Sequence, residues 1–430
     1  MAACIQADLY GNMSKIKTID AIEVLNAKGL PTVEVTVVLN DGKIGTATCP
    51  SGESIGHYEA LSLKDNDENR FGGQGVSKAV GNIKNVLVSA LVGKEAEHQP
   101  EIDRIMIDLD GTQNKSRLGA NAMFAMSLAV AKAAAESSSL PLFMYLRQFV
   151  KKQGTPLKIP TPIFNFINGK KKDGADFSEF LIIPASSKSY LESIQVGEEI
   201  NKSLRQIIKT QFTTSSDDDY SEGFALNLPT NREAFSLIQQ AIEATPLKLG
   251  FDVFFGLNSR ASTFFKDGKY YIKDKSSGLS SKEMINYYIE LNKEIHLLYL
   301  EDPLDQDDWE SWISLFEQIS GTTIIAGGDL IATNLYRLQM AIDKKAINAI
   351  VVKPSQIGTV IESLAIAEAA KETNLNLVVS HRSSETNDDF IADFSVAAGA
   401  DYIKIGSLSR GENIAKYNRL LQIETQLKIL

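Results

Sequence analysis

A chain of 430 residues is longer than one ordinary core supports, so two domains, or one large barrel with a smaller partner, are expected. Its net charge of −10 argues against broad nucleic-acid binding while leaving room for a local basic pocket that takes an anionic substrate. No apolar stretch nears the roughly 20 residues that span a bilayer, and the opening MAACIQADLYGNMSK lacks the cationic lead and apolar segment of a secretory signal. Cys4 and Cys49 alone make no disulfide framework, so a reducing cytoplasm is the expected setting.

Residues 16 to 48 alternate as strands do, and PTVEVTVVLNDGK followed by IGTATC reads as a hairpin around an Asn-Asp-Gly turn. SGESIGHYEA, residues 51 to 60, is a Gly/Ser turn whose amides or hydroxyl can meet an anion or a metal. From about residue 76 to 150 the pattern is helical, and GANAMFAMSLAVAKAAAESS predicts a buried helix. Charges, Gly154 and two prolines in QFVKKQGTPLKIP mark a boundary, giving domains over residues 14–150 and 156–430.

Beyond the boundary, short apolar runs such as KLGFDVFF, LLYLEDP, TTIIAGGD, NAIVVKP, LNLVVSH and DYIKIG alternate with amphipathic segments. In SSKEMINYYIELNKEI, Ser280 and Glu283 have capping-box spacing, and DQDDWESW reads as a helix start with Trp309 or Trp312 packed inward. Eight strands alternating with helices predict an α/β fold of parallel βα units closed into a barrel.

Each late strand ends in a residue able to do chemistry: Asp252, Glu301, Asp329, Lys353 and His381, with Lys404 inside the next strand. In a βα barrel these ends converge on one mouth. Asp252 and Glu301 supply hard oxygen ligands, and the four histidines show no paired metal spacing, so a metal here is Mg²⁺ rather than Zn²⁺. Lys353 and Lys404 crowd one another, so one can serve as a base near neutral pH, or both can simply bind anions. Glu179 in FSEFLIIP and Glu222 in YSEGFALN are candidate acids.

PTVEV, PSGESIG, DGTQNKSRLGANA, PIFNFING, EDPLDQDDWESW, KPSQIGT, SHRSSETNDDFIAD and IAKYNRLLQIE, in this order, resemble the enolase family over about residues 16 to 425. The resemblance implies a small α+β domain capping a C-terminal enolase-type βα barrel, commonly in homodimers. It implies reversible dehydration of 2-phosphoglycerate, a small phosphorylated carboxylate, to phosphoenolpyruvate with two Mg²⁺; the lysine base and Mg²⁺-stabilised ene-diolate are a known pattern of that superfamily. By this resemblance Lys353 is the base, Glu222 the acid that helps hydroxide leave, and Glu179 its carboxylate partner. Lys404 and His381 contact substrate, and Arg382 and Ser383 hold phosphate. Asp252 and Glu301 bind the tighter metal, and Ser54 serves the second.

Four departures qualify the likeness. The family places a pair of acids before the leucine of GGDL, the first being a metal ligand; here that position is Gly328, and Asp329 replaces it only if the strand slips. The loop after FING brings Lys170 to Lys172 where the family brings a histidine, and SEGF leaves Glu222 without its usual acidic and glycine neighbours. FDVFFGLNSRASTFF is about six residues longer than the family's stretch after the metal aspartate. Two readings therefore stand: a working Mg²⁺-dependent enolase, or a weak or inactive paralogue that binds a phosphorylated ligand or a protein partner.

Overall fold

The structure is a computed structural model and describes residues 14–52, 56–151, 157–169, 174–212 and 223–429. Three antiparallel strands, β1 (Ile16–Leu25), β2 (Pro31–Leu39) and β3 (Ile44–Thr48), open the chain. The Asn-Asp-Gly turn joins β2 to β3 as its composition predicts, with Val38 opposite Ile44. The alanine-rich helix Ala120–Ser137 covers this sheet and is buried along most of its length. Small side chains make the approach close enough that a Cβ at Gly45 would overlap the backbone of Ala129 and Ala133.

Eight further strands form a closed barrel: β4 (Thr161–Asn168), β5 (Glu179–Pro184), β6 (Val253–Asn258), β7 (Leu297–Glu301), β8 (Ile324–Gly327), β9 (Ala349–Val352), β10 (Asn376–Ser380) and β11 (Tyr402–Gly406). Pairing of β11 with β4 completes the ring. One strand corrects the expectation of parallel units throughout: β5 runs antiparallel to both β4 and β6. Helices between the strands bury their apolar faces on the outside; the predicted capping box is present, Ser280 and Glu283 bonding each other's amides. Trp312 is fully buried at the start of helix Trp309–Ile319.

Side chains alternate along a strand, so one parity of each barrel strand fills the interior. Ile163, Leu181, Ile183, Tyr299, Ala326, Ala349, Val351 and Val378 form that inner cluster. Counting on by two from these positions reaches Glu179, Glu301, Gly328 and Lys353. The same parity fixes what faces the mouth.

Candidate active site at the barrel mouth

Glu179 lies at the mouth because β5 is reversed: its first residue is opposite Asn258, the last residue of β6. Glu301 closes β7 and is fully buried; Lys404, inside β11, is 2 % exposed. The Lys404 ammonium donates to Glu179 Oε2 at 2.6 Å and to Glu301 Oε2 at 2.7 Å. Tyr299, two residues before Glu301 on the same face, donates its hydroxyl to the same Glu301 oxygen at 2.7 Å. Asn258 Nδ2 donates to Glu179 Oε2 at 2.7 Å.

These contacts set the protonation states. Burial alone would raise the Glu179 carboxyl, but Lys404 and the Asn258 amide bring it down to about 2. Burial alone would lower the Lys404 ammonium, and the two glutamates raise it instead, so the lysine is a charged, fixed cation. His381, next to the end of β10, is pushed down to about 3, chiefly by burial, and is a neutral imidazole. Arg382 donates to Glu59 of the capping domain at 2.7 Å, and a Cβ at Gly52 would overlap its guanidinium. Glu59, Glu179, Lys353, His381, Arg382, Ser383 and Lys404 thus line a single cavity that also includes Asn258 and Arg260.

Asp252 is not there. It precedes β6 at the opposite end of the barrel, where its carboxylate pairs with Lys188 at 3.0 Å and accepts the Lys248 amide. The residue that β6 delivers to the mouth is Asn258, six residues on, and the apparent insertion after Asp252 is the six-residue strand itself. Asp329 does not replace the ligand missing at Gly328 either. Its carboxylate is taken by Arg260 Nε at 2.8 Å. Its amide, with those of Gly328 and Leu330, points at the buried carboxylate of Asp302. Burial, helped by Asp329 and Glu301, pushes Asp302 up to about 7. Ser54, Glu222 and Lys170 to Lys172 lie outside the described residues.

The tight Mg²⁺ site implied by the sequence therefore fails a test of fit. Its three positions offer one carboxylate already bonded to an ammonium, one neutral amide and one glycine. Among the described residues, Glu301 Oε1 and Asn258 Oδ1 are buried without a hydrogen-bond partner, a feature that suits a cation. Among the described residues no group of three or more His, Cys, Asp or Glu side chains is arranged to hold a metal.

Asn258, Arg260, Glu59, Tyr299 and Asp302 are site residues that the sequence reading missed. The signal for Asn258 was the apolar run itself, which continues through Leu257 and so carries the strand end beyond Phe255. Arg260 and Asp302 carry no local signal, because their partners are supplied by other strands.

A closed barrel with a lysine and carboxylates at one mouth, beside a small sheet-and-helix domain, defines a two-domain βα-barrel protein. Two family models match the chain: the enolase N-terminal domain over residues 16–146 and the enolase C-terminal TIM barrel domain over residues 156–429. The chain belongs to the enolase family.

Proposed function

We propose that the chain binds a small phosphorylated carboxylate, such as 2-phosphoglycerate, at the barrel mouth, and that Mg²⁺-driven dehydration to phosphoenolpyruvate at an ordinary enzymatic rate has been lost. The supporting observation is the contrast within one cavity. Lys353, Arg382, Lys404, His381 and Ser383 converge on it, a set suited to a phosphate and a carboxylate. The positions for the tight metal, Asn258 and Gly328, carry no charge.

The proton to be removed in dehydration lies next to a carboxylate, and its removal piles negative charge onto that group. In the family's reaction divalent cations supply stabilisation that grows with this charge. Lys353 follows β9 on the inward parity and has no carboxylate partner among the described residues, which suits it to meet the acidic C–H of a bound ligand. Without a tight metal, proton transfer to Lys353 creates charge that fixed cations stabilise less well, so binding outlasts turnover. No helix among the described residues is long and apolar enough to cross a membrane. A cytoplasmic homodimer built from two domains, over residues 14–150 and 156–430, belongs to the same reading.

Calorimetric titration with 2-phosphoglycerate tests it. Saturable binding that weakens at least about tenfold in Arg382→Ala is expected. No binding to the intact protein, with or without Mg²⁺, would remove the proposal.

A further inference from the structure

Arg260 is the residue at the mouth that neither the family resemblance nor the strand pattern accounts for. It stands two residues beyond the end of β6, in the left-handed region at φ 53° and ψ 49°, which an arginine seldom adopts. Backbone bonds hold it there: the Ser259 amide donates to Glu301 O at 2.9 Å, and the Ala261 amide to Asp302 O at 3.0 Å. The turn is thus laced on both sides of Arg260 to the strand end that carries Glu301. From it the side chain enters the cavity and pairs with Asp329.

Three further observations show that the place of the missing ligand is crowded and that the groups left around it are already engaged. The position of the absent ligand is filled, since a Cβ at Gly328 would lie 2.6 Å from Asp302 Oδ2 and 3.0 Å from Glu301 Oε1. Asp302 cannot easily withdraw, because it accepts three consecutive backbone amides. Asn258 turns its amino group to Glu179, and the one remaining carboxylate, Glu301, is held by Lys404. Two acids are absent from the ligand positions, and an arginine lies beside them.

We propose that the guanidinium of Arg260, together with the ammonium of Lys404, stands in place of the divalent cation, so that this mouth receives the carboxylate end of its ligand through fixed cations and takes no tight metal of its own. The identity of the ligand rests on the function proposed above; the claim about the metal does not. A guanidinium offers planar paired donors to a carboxylate and needs no loading from solution. It cannot supply a second unit of charge or open coordination positions, which accords with binding that outlasts turnover.

The first test uses the metal alone. Mn²⁺ is titrated into the full chain and free ion is followed by electron paramagnetic resonance. No site tighter than about 1 mM is expected at the mouth. A micromolar site that Glu301→Gln removes would overturn the inference, whatever the protein does with 2-phosphoglycerate. The second test measures 2-phosphoglycerate affinity by calorimetry in EDTA and in excess Mg²⁺. Equal affinity within about twofold is expected, with a loss of tenfold or more in both conditions for Arg260→Met and partial recovery in Arg260→Lys. Binding that appears only with Mg²⁺, or that Arg260→Met leaves unchanged, would overturn it. The double variant Arg260→Met/Asp329→Asn removes the charge of Asp329 together with the guanidinium and serves if the single variant fails to fold; the same loss of affinity is expected. Absence of any 2-phosphoglycerate binding would refute the proposed ligand, while the Mn²⁺ titration still decides the metal.

Discussion

Removing the Arg260 guanidinium while leaving Asp329 in place tests the ion pair on which the altered mouth depends. The two side chains are 13 % and 10 % exposed and meet at 2.8 Å, so Arg260→Met leaves a nearly buried carboxylate beside the Asp302 carboxyl. Breaking such a pair costs about 3–5 kcal/mol, mostly the desolvation of the charge left behind. Arg260→Met/Asp329→Asn removes that charge and keeps the Asp329 amide bond to Asp302, so the double variant should lose no more than about 2 kcal/mol. The second substitution then recovers at least about 1–3 kcal/mol of the loss. Urea unfolding followed by tryptophan fluorescence is the assay. Both tryptophans, Trp309 and Trp312, lie on one barrel helix, so the signal reports the barrel. A single variant that loses less than about 1 kcal/mol, or one whose loss Asp329→Asn does not relieve, would refute the account of this pair.

Two more outcomes follow from the same geometry. Gly328→Asp should destabilise the barrel by about 1–3 kcal/mol, because the new Cβ meets a carboxylate fixed by three amides, and it should gain no Mn²⁺ affinity; a micromolar site in this variant would make the lost carboxylate a sufficient explanation. In the capping domain, burial raises Asp103 from 3.8 to about 7, despite hydrogen bonds from Ser127, Ile361 and Gln99. The unfolded chain gives up this proton first, so stability should fall as pH rises from about 4 through 7, by up to about 4 kcal/mol. The difference in melting temperature between the parent and Asp103→Asn should change across that window; a constant difference would show that Asp103 does not titrate there.

The parts of the fold legible in the sequence were those fixed locally. The β2–β3 turn, the buried alanine-rich helix and the Ser280/Glu283 capping box each depend on residues within a few positions of one another. The mouth was partly legible because strand parity is local too: Glu301, Lys353 and Lys404 sit where a period of two places them. Asp252 was misplaced because the apolar KLGF before it reads as strand but forms a turn, so β6 begins only after Asp252 and runs on through Gly256 to Asn258. That glycine is required by packing, since its Cβ would approach Leu181 Cβ at 3.1 Å. The reversal of β5 left no trace in its own residues, because strand direction is set by the connection. Likewise the capture of Asp329 by Arg260 joins residues 69 apart and depends on an arginine held in an unusual backbone conformation.

The account stands most directly on the Mg²⁺ dependence of phosphoenolpyruvate formation from 2-phosphoglycerate by the purified full chain. It predicts no appreciable turnover as Mg²⁺ is raised from none to saturating levels, although 2-phosphoglycerate binds throughout. A rate that climbs with Mg²⁺ to about 10 s⁻¹, typical of enzymes, and disappears in Lys353→Ala would contradict it.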